Sequence, residues 1–212
     1  HGFKGAMIHG LANGEFLDHK KFWPIFARAE KLDVPIYFHP SLPDPRVAAV
    51  YSQDYVKDFP LVVRPAGGFT VEAATQAIRM VLSGVFDAHP NLKIILGHLG
   101  ETLPFLLWRI DAALKRPGQK PLSFRDIFAK NFYVTTSGFF SNPALLCCVM
   151  EMGVDGITVS PGYAYERAPD QQHFLHRETT KTLFRNIFKR GNGAKNWSFS
   201  QSGLFLDFLA GN

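Results

Sequence analysis

Short runs of apolar residues without polar alternation recur along the chain, and segments with helical periodicity lie between them. The run Ile94–Leu96 has no polar position, which is typical of a strand that is covered on both faces. On this pattern we predict five neighbouring parallel strands, at residues 3–9, 34–39, 93–97, 131–136 and 156–160. Strands that alternate with helices indicate an α/β fold with a parallel sheet, either open or closed into a barrel.

The helices between these strands are predicted from apolar positions with a period near 3.6. Residues 18–33 predict one helix with Asp18 as its cap. A second helix is predicted to run to about residue 90 with Thr70 as its cap. Its predicted apolar stripe consists of Ala74, Ile78, Val81, Leu82 and Val85.

Composition narrows the class of protein. With 212 residues, of which 46% are hydrophobic, the chain can bury one sizeable core, so we predict a single domain over residues 1–212. The net charge of +5 comes mainly from the end of the chain and not from one patterned face, which disfavours nucleic acid as a partner. No apolar segment reaches the roughly 18 residues of a membrane span, so no membrane partner is expected. The adjacent Cys147 and Cys148 are poorly placed to bridge each other, and we expect a reducing, cytoplasmic setting.

Polar residues follow several of the predicted strands at the same place. His39, His98 and Ser137 each come directly after an apolar run, and Glu101 lies three residues beyond His98. The carboxyl ends of parallel strands share one rim, where these residues would meet. A neutral imidazole can bind a divalent metal or move a proton, and a nearby carboxylate can orient it. From spacing alone, a chemical site and ordinary buried histidines fit about equally well.

Two further histidines lie near strand ends. His9 ends the first predicted strand, and it fits both a place in the site and a simple hydrogen bond at the rim. His89 precedes its strand, so we expect it at the opposite, structural rim.

Four stretches carry a resemblance to a known family, in this order: "GFKGAMIHG", "DVPIYFHP", "GVFDAHPNLKIILGHLGETLPFLLWRID" and "NFYVTTSGFF". Together they resemble the amidohydrolase-related decarboxylase family, in the branch of 2,3-dihydroxybenzoate and γ-resorcylate decarboxylases. The resemblance extends over residues 2 to about 166, and the residues after about 167 diverge. It implies the C-terminal part of a distorted (β/α)8 TIM barrel without the first strands, and a metal-dependent decarboxylase of hydroxylated aromatic acids.

The resemblance also implies roles for single residues. It makes His39 a metal ligand, and it gives His98 and Glu101 a part in proton transfer. Arg109 matches an arginine that contacts substrate in a neighbouring subunit's site. Ser137, at the end of the fourth predicted strand, is a further candidate for substrate binding.

From the resemblance we also expect one divalent metal, Mn or Zn, a small aromatic carboxylic acid as substrate, and a homo-oligomer, either a dimer or a tetramer. Two departures complicate this expectation. The Glu-x-His or His-x-His ligand pair of the family's first strand is not among the 212 residues, and Gly162 stands where the family has a metal-binding aspartate. We therefore expect less than one tightly held metal per chain. Two alternatives stay open: a metal-dependent amidohydrolase acting on a small cyclic substrate, and a catalytically dead binding or assembly subunit.

Overall fold

A computed structural model describes residues 4–114 and 123–158, and within these ranges a parallel sheet of five strands organises the protein. The strands are β1 (Ala6–His9), β2 (Ile36–His39), β3 (Ile94–Leu96), β4 (Phe132–Thr135) and β5 (Ile157–Thr158). They lie side by side in chain order, and each neighbouring pair is parallel. The predicted strands and their order are confirmed. β1 to β4 are shorter than predicted, and β5 begins one residue later than predicted, while positions 159 and 160 of that prediction lie outside the described residues.

Helices connect the strands. They are α1 (Trp23–Lys31), α2 (Pro45–Tyr51), α3 (Gln53–Val56), α4 (Gly68–Ser83), α5 (Val85–Ala88), α6 (Leu103–Ala113), α7 (Phe124–Asn131) and α8 (Asn142–Met152). Short 3₁₀ turns occupy Lys20–Phe22, Pro60–Val63, His98–Gly100 and Val154–Gly156. The connection between β2 and β3 is the longest of those described, and it carries α2 to α5.

The two faces of the sheet have different partners. Phe38, Leu96 and Phe132 belong to the main core cluster, together with buried residues of α1, α4, α5 and α7. Successive side chains of a strand point to opposite faces, so Tyr37 and His39 lie on the face away from that core. Consistently, the rings of Tyr37 and His39 are stacked, with centroids 6.2 Å apart.

Asp18 does not cap the first helix, and this prediction is wrong. Helix α1 begins at Trp23, five residues later, and Phe22 at its N-cap makes no side-chain hydrogen bond to the helix. The Asp18 carboxylate instead accepts two hydrogen bonds of 2.9 Å from the Arg79 guanidinium on α4. A bidentate pair with arginine is stronger than a single cap bond, and here it ties the β1–α1 connection to α4.

The prediction for the second helix is also corrected. Helix α4 already begins at Gly68, so Thr70 lies inside it and is not the cap. The helix ends at Ser83, and the φ of +85° at the following Gly84 interrupts the run before α5. Of the predicted stripe Val81 and Val85 are fully buried, but Leu82 is 44% exposed. The buried face is instead formed by Gly68, Glu72, Ala73, Gln76, Ala77, Met80 and Val81.

Both cysteines are free thiols on α8, as expected from their adjacent positions. Burial raises the pKa of the Cys148 thiol to about 12, so this side chain stays protonated and packs as an apolar group.

In the ranges 4–114 and 123–158, the helices fall short of the length and apolarity that crossing a membrane requires.

Candidate active site at the carboxyl end of the sheet

Three histidines meet at the carboxyl end of the sheet. His9 and His39 are the last residues of β1 and β2 and are partners in the parallel ladder, with ring centroids 4.7 Å apart. The His98 ring, just beyond β3, lies 5.8 Å from the ring of His39. The prediction that His39 and His98 share one end of the sheet is confirmed, and His9 joins them there.

Glu101 fixes the imidazole of His98. Its Oε1 lies 2.6 Å from Nδ1 of His98, which is a short, charge-assisted type of contact. Its Oε2 accepts a hydrogen bond of 2.8 Å from the Thr70 hydroxyl on α4. Because both carboxylate oxygens are engaged and the side chain is almost fully buried, Glu101 can hold the ring in one orientation and support a proton on it.

The backbone that presents His98 is unusual. His98, Leu99 and Glu101 have φ values of +53°, +53° and +57°, and Gly100 lies between them at +71°. Non-glycine residues in this region cost on the order of 1 kcal/mol or more each, and they persist only where surrounding structure holds them. Here Leu99 is buried in a second core cluster, together with Val134, Leu145, Cys148 and Ile157. The Cys148 thiol also donates a hydrogen bond to the Leu99 carbonyl over 3.4 Å.

His39 is held as a neutral imidazole. Burial is the main cause that lowers its pKa, and the neighbouring His9 and His98 lower it further. The hydrogen bond between Nδ1 and the Pro40 carbonyl, at 2.8 Å, acts in the opposite direction on the pKa. That bond requires the proton on Nδ1 and places the ring's lone pair on Nε2, the tautomer that a metal ligand needs.

Phe69 is a site residue that sequence analysis missed. Its ring stacks on His98 with centroids 6.5 Å apart, and it meets His39 edge to face at 6.3 Å. No local pattern singles it out, because the two histidines are 30 residues before it and 29 residues after it.

Glu72 is the second missed residue. It is 5% exposed, and its Oε2 accepts the backbone N–H of Ser41 at 3.2 Å, two residues beyond His39. Its Oε1 is buried without a hydrogen-bond partner, and burial raises the pKa of this carboxyl to about 7. Sequence analysis missed it because Glu72 lies outside the predicted apolar stripe. Only the structure shows that Glu72 and Gln76, four residues apart, lie on the buried face of α4, where apolar residues are the rule.

Ser137 lies beside the site in a chain of buried hydroxyls. Its Oγ is 2.7 Å from Thr135 Oγ1, which in turn is 3.5 Å from the Tyr37 hydroxyl. Gly97, the residue before His98, packs against this group so closely that an added Cβ would lie 2.7 Å from the Tyr37 oxygen. Ser137 therefore adjoins the end of β3, and its contact with a substrate stays a prediction.

Arg109 lies on the exposed face of α6, beside Trp108, and not among the histidines. Within one chain the structure does not bring it to the site. Its predicted role, which involves a neighbouring subunit, stays a prediction.

The described residues do not complete a metal site. Within residues 4–114 and 123–158, no group of three or more His, Cys, Asp or Glu side chains could hold a metal ion. His39 has the right tautomer, but a single imidazole cannot hold a hard divalent ion against water. Gly162, the other position considered for the metal, lies outside the described residues.

Comparison with known proteins gives one consistent family. Residues 1–141 match the family model described as Amidohydrolase, and residues 157–212 match a domain of unknown function, DUF3463. A γ-resorcylate decarboxylase of Rhizobium radiobacter is 39% identical over 205 residues, which are 92% of this chain and 61% of that protein.

Solved structures agree with the sequence relatives. A 2,6-dihydroxybenzoate decarboxylase in complex with 2,6-dihydroxybenzoate is 36% identical, with a TM-score of 0.72 over 89% of this chain and 63% of that one. A dihydroxybenzoic acid decarboxylase of Polaromonas sp., with bound manganese and the inhibitor 2-nitroresorcinol, is 34% identical, with a TM-score of 0.74 over 89% of this chain and 61% of that one.

These matches agree with the parallel sheet. The chain spans about three fifths of the length of the relatives it matches, so its five strands correspond to part of a TIM barrel. The family model alone covers well over half of the 212 residues. The chain therefore belongs to the amidohydrolase family.

Proposed function

We propose that these 212 residues form the proton-transfer part of a decarboxylase acting on small hydroxylated aromatic acids. The single observation that carries this proposal is the His98–Glu101 pair, 2.6 Å apart and next to His39 at the carboxyl end of the sheet. The relatives that are named as dihydroxybenzoate decarboxylases support the class of substrate.

The chemistry needs one proton at one ring carbon. Nδ1 of His98 faces Glu101, so Nε2 is the atom that would deliver a proton to the carbon bearing the substrate's carboxylate. The bond from that carbon to the carboxylate then breaks, its electrons restore the aromatic ring, and carbon dioxide leaves. Glu101 stabilises the imidazolium before transfer, and a positioned acid of this kind accelerates a reaction by roughly 10² to 10⁴.

For a divalent metal, such as the manganese of the Polaromonas structure, we propose one ligand among the described residues. His39 is the described residue that we propose as a ligand, because its proton is on Nδ1 and its ring is neutral. The described residues do not supply a complete donor set, and the proposed proton transfer uses only His98 and Glu101.

The test uses two proteins: the 212-residue chain, and an upstream-extended chain. The second carries Gly162→Asp and is preceded by the part of the Rhizobium radiobacter γ-resorcylate decarboxylase that lies before its match to this chain. With added manganese or zinc, we expect carbon dioxide release from 2,6-dihydroxybenzoate to be near background for the 212 residues. We expect clear turnover from the extended chain. A folded, metal-loaded extended chain that keeps its full rate after His98→Asn would contradict the proposal.

The same two proteins distinguish decarboxylation from two other functions. A metal-dependent amidohydrolase would hydrolyse a small cyclic amide instead of releasing carbon dioxide. A catalytically dead subunit, which the incomplete donor set among the described residues favours, would bind an aromatic acid or a protein partner without turnover.

We also propose that the chain forms a homo-oligomer, a dimer or a tetramer, through the outer face of α6. Phe105 and Trp108 are 82% and 72% exposed there, one helical turn apart and next to Arg109. Large exposed apolar side chains of this kind often mark interfaces. Light scattering should give a mass of two or four chains, and Trp108→Lys should lower it. A monomer in the unmodified chain would contradict this assembly.

A further inference from the structure

One helix end contacts both loops that carry the histidines. The first turns of α4 place Thr70 against Glu101, the partner of His98, and Glu72 against Ser41, in the loop that follows His39. Phe69, next to Thr70, touches both rings. We infer that Thr70 and Glu72 are positioning residues that together set the spacing between His39 and His98.

The start of α4 is itself fixed in place. At Gly68 an added Cβ would lie 2.1 Å from the Val63 carbonyl oxygen and 2.4 Å from its carbon, so the helix begins in direct contact with the backbone of the preceding 3₁₀ turn. No side chain other than hydrogen fits between them. A helix end that cannot shift along its axis is a suitable reference point for two separate loops.

The two contacts share no residue. Thr70 donates to Oε2 of Glu101, and this leaves Oε1 of the same carboxylate for His98. Removing the Thr70 hydroxyl would free the Glu101 carboxylate to rotate, and the His98 ring would follow it. The loop after His39 would keep its contact with Glu72.

Glu72 holds the other loop from the opposite side. Ser41 is held between Glu72, which accepts its N–H, and Gly10, where an added Cβ would lie 2.3 Å from the Ser41 Cβ. Gly10 N–H in turn donates to the His39 carbonyl at 3.0 Å. The backbone on both sides of the His39 ring is therefore tied down, and Glu72 supplies the contact that comes from α4.

The importance of this spacing for catalysis rests on the proposed function, but the test does not use substrate. It uses the 212-residue chain, nuclear magnetic resonance of the histidine ring nitrogens, and hydrogen exchange of the Ser41 amide. Thr70→Val removes the hydroxyl at nearly constant volume, whereas Thr70→Ser keeps it. Glu72→Met removes the acceptor, whereas Glu72→Gln keeps one.

We expect Thr70→Val to shift the ring nitrogen resonances of His98 and to leave Ser41 exchange within about twofold of the parent. We expect Glu72→Met to accelerate exchange of the Ser41 amide about tenfold and to shift the ring nitrogen resonances of His39. The resonances of His98 should stay unchanged in this variant. Thr70→Ser and Glu72→Gln should restore the parent values. His89, at the other end of the sheet, is the internal reference and should not move in any variant.

A general loss of stability would give a different result. If either variant shifts both His39 and His98, or accelerates exchange across the whole sheet equally, α4 supports the fold but does not position the rings separately. Unchanged resonances and exchange would also overturn the inference. Should Glu72→Met fail to fold, Glu72→Asp withdraws the carboxylate by one carbon, and the same outcomes apply to it.

Discussion

The two ends of the sheet each carry a histidine paired with a glutamate. At the carboxyl end, Nδ1 of His98 is 2.6 Å from Glu101; at the amino end, Nδ1 of His89 is 3.0 Å from Glu30. The two histidine side chains are almost equally exposed, at 18% and 17%. The pair itself therefore does not distinguish a site from a structural contact.

The surroundings of the two pairs are what differ. His98 has a second histidine 5.8 Å away, a left-handed backbone and a carboxylate partner that is itself held by Thr70. The Glu30 carboxylate at the amino end accepts the backbone N–H of Asn91, and thereby ties α1 to the loop before β3. Several polar groups that converge under backbone strain indicate chemistry, whereas a single pair that joins two elements indicates architecture.

The largest expected effect comes from exchanging the two histidines for asparagine in the upstream-extended chain. His98→Asn should lower carbon dioxide release by roughly 10² to 10⁴, because the proton donor is lost. His89→Asn should leave the rate within about twofold and cost about 1 kcal/mol of unfolding free energy, because one hydrogen bond between α1 and the loop is weakened. Steady-state kinetics measures the rate of each variant, and urea unfolding measures its unfolding free energy. Equal losses of rate in the two variants would remove the distinction between the two ends.

The second effect is a pH dependence of stability that comes from Glu72. Its pKa is raised from 4.5 to about 7 in the folded protein, so folding favours the neutral carboxyl. The stabilisation is complete below pH 4.5 and is lost as the pH rises through about 7, a difference of roughly 3 kcal/mol at about 1.4 kcal/mol per unit. Glu72→Gln, which has no charge at any pH, should remove this loss.

Urea unfolding of the 212-residue chain between pH 4.5 and 8 measures this dependence. Asp44→Asn is the control, because Arg46 beside it holds the pKa of the Asp44 carboxyl at about 2, outside this window. A wild-type profile parallel to that of Glu72→Gln would show that Glu72 ionises as freely in the folded chain as in the unfolded one.

The third prediction compares two glycines with left-handed backbone, one at each end of the sheet. Gly100 and Gly84 have φ values of +71° and +85°, and alanine in this region costs about 1 to 2 kcal/mol. At Gly100 an added Cβ would also lie 2.9 Å from the Val134 side chain, whereas at Gly84 the nearest atom is 3.4 Å away. Gly100→Ala should therefore lose about 1 kcal/mol more than Gly84→Ala in urea unfolding. A smaller loss at Gly100 would show that the turn around His98 adapts easily.

The smallest expected effect concerns metal. After dialysis, elemental analysis of the 212-residue chain should find less than one manganese or zinc ion per chain, because no group of three side chains among the described residues is arranged to hold a metal ion. Added manganese should change the unfolding free energy by less than about 0.5 kcal/mol, which corresponds to metal at or below its dissociation constant. The upstream-extended chain is the positive control. One tightly held ion in the 212 residues would mean that the ligands lie elsewhere in the chain.

The sheet could be predicted because each strand is recognised from a short run of neighbouring residues. Apolar runs such as Ile94–Leu96 indicate strands directly, and parallel order follows from their alternation with helices. His39 and His98 could be placed at one rim for the same reason. The position of His89 before its strand likewise predicts the opposite rim, but its pairing with Glu30, 59 residues earlier, could not be predicted.

The rest of the site could not be predicted because it depends on contacts between distant segments. Thr70 has the sequence context of a helix cap, yet its hydroxyl binds Glu101, 31 residues later. Glu72 has the context of an ordinary exposed helix position, and only its burial reveals its role. Asp18 likewise pairs with Arg79, 61 residues away, and no local rule favours that contact over a cap.

The order of the strands has a consequence for synthesis on the ribosome. Because the strands lie side by side in chain order, each one can join the growing edge of the sheet as it emerges. Between the end of β2 and the start of β3 lie about 55 residues, which take roughly 3 to 11 s to translate. During that interval the open edge of β2 has no strand beside it, and it can pair with another nascent chain. Slow codons in this interval should therefore lower the yield of folded protein more than slow codons after residue 96.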